Sequence, residues 1–429
     1  MRKRVRRSHA LDLRQVAATA TARSGAWTAL GQIGTLMSVL YFASVGGTSP
    51  VALLAAGSAV VALLNTFSTA GVEFILPAVE AGDIRRLYGR GIRALVLTLT
   101  VTSVGGGPVA AALGQPFWLG GVTAIGVLAL SVGQLFVSSA VRLRRLVLIG
   151  QYRFALSVGA AATQFTLVGT TGLRPWTLFL GYALGSLAIS LVFAAVVARE
   201  CREMLVSAND TAQGIGWPVH MHAAAASLCN VAALQGPAAL WPSALGVDLA
   251  GSWSLVTRIT TAPTMLATGP VAAAVNGELA ELVRRRNFAW LSATLAKWRR
   301  RLLAYAILTA IITSVAILLL PSVLGSQWDS VRELLPFALL LAIPQAVVSP
   351  TAQILNLIAA SRLQLVWDLC RLGAVAVIVI SLRHGVMLLA GYAGVMAISY
   401  LVLSRLTRDR VQGASSRLDV ASPDGAPFC

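Results

Sequence analysis

The sequence predicts an all-α, polytopic membrane protein with about twelve transmembrane helices in two parallel six-helix bundles. Three observations carry that reading. The 429 residues are 57 % apolar and only 12 % charged, where a soluble domain carries about 25 % charged residues. Apolar stretches long enough to cross about 30 Å of hydrocarbon, roughly 20 residues each, recur along the chain. The basic residues alternate sharply between the segments that join those stretches.

Twelve stretches qualify: 24–45, 51–79, 94–113, 117–141, 154–172, 176–198, 219–243, 251–276, 302–324, 333–358, 366–382 and 385–405. The first is longer than the apolar core of a signal peptide and follows the basic start Met1–Arg7, so it reads as an uncleaved membrane helix. With the N-terminus inside, 29 of the 34 bases fall in inner segments. Arg174, Arg332 and Arg383 alone fall outside, and Arg258 and Arg371 lie within spans. Both termini are therefore expected to be cytoplasmic. The formal charge of +18 is then topological, matched to an anionic inner leaflet, and nucleic acid is not an expected partner.

The organisation that follows has a basic cytoplasmic tail (1–23), an N-terminal bundle (24–198), a cytoplasmic linker (199–218), a C-terminal bundle (219–405) and a disordered cytoplasmic tail (406–429). An offset of 198 residues lays the second span over the eighth, pairing Gly71 with Gly269, Glu80 with Glu278, Asp83 with Glu281 and Arg86 with Arg284. An offset that separates six spans from six implies parallel repeats about an axis normal to the membrane, with a cavity between them. Residues 278–301 are expected to form an amphipathic inner-surface helix, because Phe288, Leu291, Leu295 and Trp298 recur at helical spacing among bases.

Catalytic signatures are missing. Lys3 and Lys297 do not close a phosphate loop. The four cysteines contain no C-x-x-C pair, His9, His220, His222 and His384 have no metal-binding spacing, and no D-x-D occurs. Neither an enzyme nor a cofactor or metal site is expected.

The informative residues are polar ones inside spans, because a charge there costs roughly 2.5–3.5 kcal/mol on insertion scales and usually faces a cavity or a partner. Arg258 lies about 10 Å into the eighth span. It can hold an anionic group such as a phosphate, which its planar fork suits, or pair with an acid across the bundle. Glu73 can titrate and couple movement of a solute to protons or sodium, or lock two helices through a base. Asp368 and Arg371, at i and i+3, can form a mutual pair or a site. Gln32, Thr35 and Ser38 follow helical spacing in the first span, Asn65, Ser68 and Thr69 sit in the second, Asn230 and Gln235 in the seventh, and Thr257, Thr260 and Thr261 in the eighth. The first two spans of each half thus read as the cavity wall. Gln134, Gln164, Gln345, Gln353 and Asn356 read as isolated helix–helix hydrogen bonds.

Two stretches resemble a known family. One runs from Leu30–Ile33 through the turn at Gly46–Pro50 to Gly71–Leu76, and the other is Gly251–Pro263, followed by Glu278 and the basic linker. They are similar to polysaccharide flippases (Wzx-type, O-antigen or teichuronic-acid exporters) of the multidrug/oligosaccharidyl-lipid/polysaccharide superfamily. The resemblance implies a MATE-like two-lobe fold in the bacterial inner membrane. It further implies cation-coupled alternating access that carries undecaprenyl-pyrophosphate-linked oligosaccharide to the outer leaflet for surface polysaccharide synthesis. Membrane lipids, a coupling proton or Na+ and glycan-assembly proteins are the partners it implies. Arg258, with Gln32, Asn65, Asn230 and Gln235, is then the substrate-binding set, and Glu73 and Asp368 are the ion-coupling candidates. The sequence departs from the family pattern at Pro77 and Ala78, where members often carry an Arg. A multidrug or cation antiporter of the same fold is the first alternative. A membrane-embedded glycan polymerase is a weaker one, since the outer loops offer little room and only Asp248, Asp329 and Glu333 as outer acids.

Overall fold

The computed structural model describes residues 2–69, 72, 84–112, 115–143, 145–206, 217–284, 287–352, 354–358, 360–382 and 385–421. Every regular element among them is helical. Twelve long helices follow in order: α1 (Arg2–Gly46), α2 (Thr48–Ser68), α3 (Ile84–Ala112), α4 (Leu119–Arg142), α5 (Leu146–Thr171), α6 (Thr177–Val206), α7 (Trp217–Leu245), α8 (Val247–Arg284), α9 (Phe288–Leu324), α10 (Ser330–Val348), α11 (Ser361–Ser381) and α12 (Gly385–Ala421). One further helical turn, Ile354–Leu357, lies between α10 and α11.

Among the described residues, ten helices are long and apolar enough to span a bilayer. Large apolar side chains stand exposed along them, as at Val96, Leu97, Val101 and Val104 of α3 and Ile307, Leu308, Ile311 and Ile312 of α9. Ridges of this kind have no favourable partner in water and match acyl chains, so the chain is a multi-pass membrane protein. α7 and α8 are the helices expected as the seventh and eighth spans. α7 carries Asn230, Gln235 and internal prolines at 237 and 242, and α8 carries Arg258 among several hydroxyls. Both pack against the other half of the molecule.

The two halves meet through α2 against α7 and α8, and through α1 against α8. Single residues join α1 to α2 and α7 to α8. Gly47 (φ 72°) and Gly246 (φ 81°) adopt the left-handed conformation that glycine tolerates without a Cβ clash. These two links bring the first hairpin of each half to the same end of the molecule, opposite the chain termini. The shared core gathers at that end around Phe42, Phe179, Trp241, Trp253 and Trp328. Gly251 allows the closest approach there, because a Cβ on it would stand 2.4 Å from the Thr48 carbonyl oxygen. Beside it the Thr48 hydroxyl donates to the Asp248 carboxylate across the two halves, and Ser330 donates to Ser252 at 2.8 Å.

Two expected segments differ. Residues 278–301 do not form one surface helix. α8 continues through Glu278 to Arg284, and α9 starts at Phe288, its first turn capped by Asn287, which accepts from the Trp290 amide at 3.1 Å. Helices of 38 and 37 residues are about 55 Å long, so this hairpin projects beyond the bilayer. The apolar residues expected to face lipid instead build a second small core, in which Leu279, Leu291, Leu295, Ile354 and Val411 are buried. That core also explains the other difference. The tail expected to be disordered from 406 continues α12 as helix to Ala421, because Leu403, Thr407 and Val411, four residues apart, are all buried. The expected linker is helical up to Val206 and again from Trp217, and residues 207–216 lie outside the described residues.

Candidate functional site

Arg258 lies in the fourth turn of α8, just below the core that joins the halves. Its side chain borders two adjoining cavities, of about 140 Å³ and about 90 Å³. The larger runs between α1 and α8 and is lined by Gln32, Thr35, Thr261 and Arg258, with Leu36 and Val39. The smaller lies within the N-terminal half, where Ser38, Ser157, Gln164 and Tyr182 join Thr35 and Arg258. Thr35 and Val39 of α1 line both, so α1 separates two chambers that share one cation.

Arg258 makes no hydrogen bond or ion pair among the described residues. A guanidinium in a spanning helix that finds no carboxylate keeps its five donors available to whatever enters. The hydroxyls around it are already oriented by their own helices. Thr35 donates to the Gly31 carbonyl at 3.1 Å, Ser38 to Thr35 at 2.9 Å and Thr261 to Thr257 at 2.6 Å. Their protons are committed, and their oxygens can still accept. Gln164 donates to the Leu178 carbonyl at 2.8 Å, whereas Gln32 makes no hydrogen bond among the described residues and can both donate and accept. The chambers thus offer one strong anion-binding fork among groups that suit hydroxyls.

The other candidate residues are distributed differently. Asn65 accepts from Ser131 at 2.9 Å, tying α2 to α4. Asn230 accepts from Arg371 at 2.5 Å, and Asp368 accepts from the same guanidinium at 2.7 Å, with the Asp368 and Arg371 side chains each 1 % exposed. The Arg371 guanidinium also lies 4.4 Å from the Trp367 ring and 5.9 Å from Tyr400. Gln235 is half-buried on α7 and lines neither cavity. Glu73, Gly71 and Pro77 lie outside the described residues. The structure therefore gathers Arg258 and Gln32 with Thr35, Ser38 and Thr261, and collects Asn230, Asp368 and Arg371 into a separate cluster inside the C-terminal half.

The wall is not formed as the spacing suggested. α7 contributes no lining side chain, while α5 and α6 supply Ser157, Gln164 and Tyr182. Single hydroxyls in apolar helices carry no local signal of what they face. Tyr182 and Ser157 could have been found only from the packing of α1 against α5 and of α5 against α6.

No family model matches the chain, and no curated protein matches it in sequence. Solved structures do match in fold. The MATE transporter ClbM, solved in complex with Rb+, is 13 % identical with a TM-score of 0.58 over 94 % of this chain and 97 % of its own. The eukaryotic MATE transporter AtDTX14 is 13 % identical, with a TM-score of 0.57 over 93 % and 97 %. The Vibrio cholerae MATE transporter VcmN in its bent form is 14 % identical, with a TM-score of 0.55 over the same shares. At these identities the likeness is one of fold, and the fold is that of MATE transporters.

Proposed function

We propose that this chain is a transporter, not an enzyme, and that it moves a lipid-linked oligosaccharide from the inner to the outer leaflet of a bacterial cell membrane. The observation that carries the reading is Arg258, a guanidinium without a carboxylate partner among the described residues, shared by two chambers lined with hydroxyls and amides. A pyrophosphate between lipid and sugar supplies the acceptor that the fork lacks. Gln32, Thr35, Ser38 and Ser157 offer hydrogen bonds to sugar hydroxyls, and the lipid tail stays in the bilayer, so the site needs only a lateral opening. Charge-assisted contacts of this kind are roughly twice as strong as neutral ones.

The two-lobe fold supports alternating access, with the end closed by Thr48, Asp248 and Gly251 as one gate. The Rb+ bound to ClbM is a reason to expect coupling to a cation here, a proton or Na+, with Glu73 and Asp368 as candidate carriers. Asn65, Asn230 and Gln235 remain second-rank candidates for substrate contact, and glycan-assembly proteins remain candidate partners. A multidrug antiporter is the competing reading, favoured by the MATE fold. An unneutralised arginine in the cavity disfavours the cationic solutes such a protein would carry.

The test is removal of the protein from its own cells, followed by analysis of lipid extracts and surface polysaccharide. Accumulated lipid-linked oligosaccharide with loss of surface polymer, restored by the unaltered chain and not by Arg258→Ala, is the expected result. Unchanged lipids together with new sensitivity to toxic cations would replace this reading with the antiporter.

A further inference from the structure

The projecting hairpin of α8 and α9 and the end of α12 carry a concentration of bases that the transport cycle does not use. Lys297, Arg300 and Arg301 stand exposed where α9 begins, and Arg405 and Arg408 stand exposed where α12 leaves the bilayer. The apolar ridges start immediately beyond them. Leu303, Ile307 and Leu308 of α9 and Ile398, Leu401 and Val402 of α12 are all exposed. These bases therefore sit at headgroup depth, beside the surface that acyl chains cover.

Topology alone would be satisfied by scattered, solvated bases. Arg299 is different. One of its nitrogens donates to the Ser404 carbonyl at 3.1 Å, which holds α9 against α12. Its Nε and other terminal nitrogen are buried with no acceptor, and Arg408 lies one turn beyond Ser404 on the same face of α12. Among the described residues, none of these six bases has a carboxylate within ion-pair distance. Glu278 of the hairpin accepts instead from the Trp298 indole at 2.9 Å. Buried donors without an acceptor are rare because they forfeit their hydration, and two adjacent guanidinium groups repel unless an anion lies between them.

We propose that Arg299 and Arg408, at the junction of α9 and α12, bind the phosphate of an anionic membrane lipid. Lys297, Arg300, Arg301 and Arg405 surround the headgroup, and the acyl chains lie along the exposed ridges of α9 and α12. The adjoining ridges select a membrane lipid over a soluble phosphate, which has nothing to place there. On the asymmetry of the bases, this is a lipid of the inner leaflet. The inference is independent of what occupies the cavity at Arg258.

The full-length protein is reconstituted in nanodiscs of phosphatidylcholine alone or with phosphatidylglycerol. Lipid retained through native mass spectrometry and the thermal midpoint are then read together. Phosphatidylglycerol is expected to stay bound and to raise the midpoint, with retention about tenfold lower in Arg299→Gln or Arg408→Gln. Arg174→Gln, which alters an exposed base at the opposite end, is expected to leave both readouts unchanged. Equal retention in Arg408→Gln and Arg174→Gln would overturn the proposal. So would inorganic phosphate alone giving the same stabilisation in phosphatidylcholine, since the ligand would then be a soluble anion. Should Arg299→Gln fail to fold, Arg408→Gln, whose side chain is exposed, carries the test unaided.

Discussion

Arg258 and Arg371 are the two arginines that the sequence places inside spans, and the structure gives them opposite surroundings. Arg371 is enclosed. It bonds to Asp368 and Asn230, lies over Trp367 and is 1 % exposed. Arg258 borders two open chambers and has no bonded partner among the described residues. The same residue type, under the same insertion penalty, is paired with a carboxylate and an amide through one terminal nitrogen in one case, with its Nε and other terminal nitrogen left without acceptors. In the other it has no protein partner among the described residues. A buried charge therefore has meaning only through its partners: Arg371 holds α7 and α11 together, and Arg258 is available for binding.

The sharpest way to break this contrast is to remove Arg371. Arg371→Ala leaves Asp368 buried and uncompensated, so a loss of about 3–5 kcal/mol is expected, visible as low yield and a lowered thermal midpoint in detergent. Pairing Arg371→Met with Asp368→Leu removes both charges and should recover most of that loss. If the single variant proves as stable as the unaltered protein, Arg371 is not the structural member of the pair.

Arg258→Ala should reverse the pattern. Its thermal midpoint stays close to that of the parent, because no protein partner is stranded, while transport falls by one to two orders of magnitude, about 1.5–3 kcal/mol of lost charged contact. Arg258→Lys keeps the charge but not the planar fork and should recover only part of the rate. A midpoint that falls as far as in Arg371→Ala would show Arg258 to be structural as well.

Gly251→Val tests whether the closed end governs access to the Arg258 chambers. The new side chain meets the Thr48 backbone, and overpacking typically costs about 1–3 kcal/mol. Cysteines introduced at Thr48 and Asp248 should then crosslink more slowly than when Gly251 is retained. Unchanged crosslinking would mean that α2 and α8 separate elsewhere.

The smallest effect is expected at Gln32→Ala, which removes one neutral contact in the larger chamber. A loss of about 0.5–1.5 kcal/mol, a few-fold in rate, with no change in midpoint, is the outcome to look for. Asn65→Ala gives the complementary case: it breaks the tie to Ser131 and should lower stability by a similar amount while sparing the rate.

Much of this molecule was legible in its sequence. Hydrophobic runs near 20 residues and bases segregated to alternate segments require a polytopic helical protein, because hydrocarbon forces each backbone to satisfy itself within a helix. Arg258, Asp368 and Arg371 stood out because each is costly where it lies. Tertiary structure alone decided which of those charges is paired, since the residues that neutralise or line them come from helices far apart in sequence. Asn230 reaches Arg371 from 141 positions away, and Ser157, Gln164 and Tyr182 join Arg258 from the other half of the chain. The same limit explains the helix that continues through 406–421. Its composition is polar, but Thr407 and Val411 gain burial against an α8–α9 hairpin whose position no local pattern encodes.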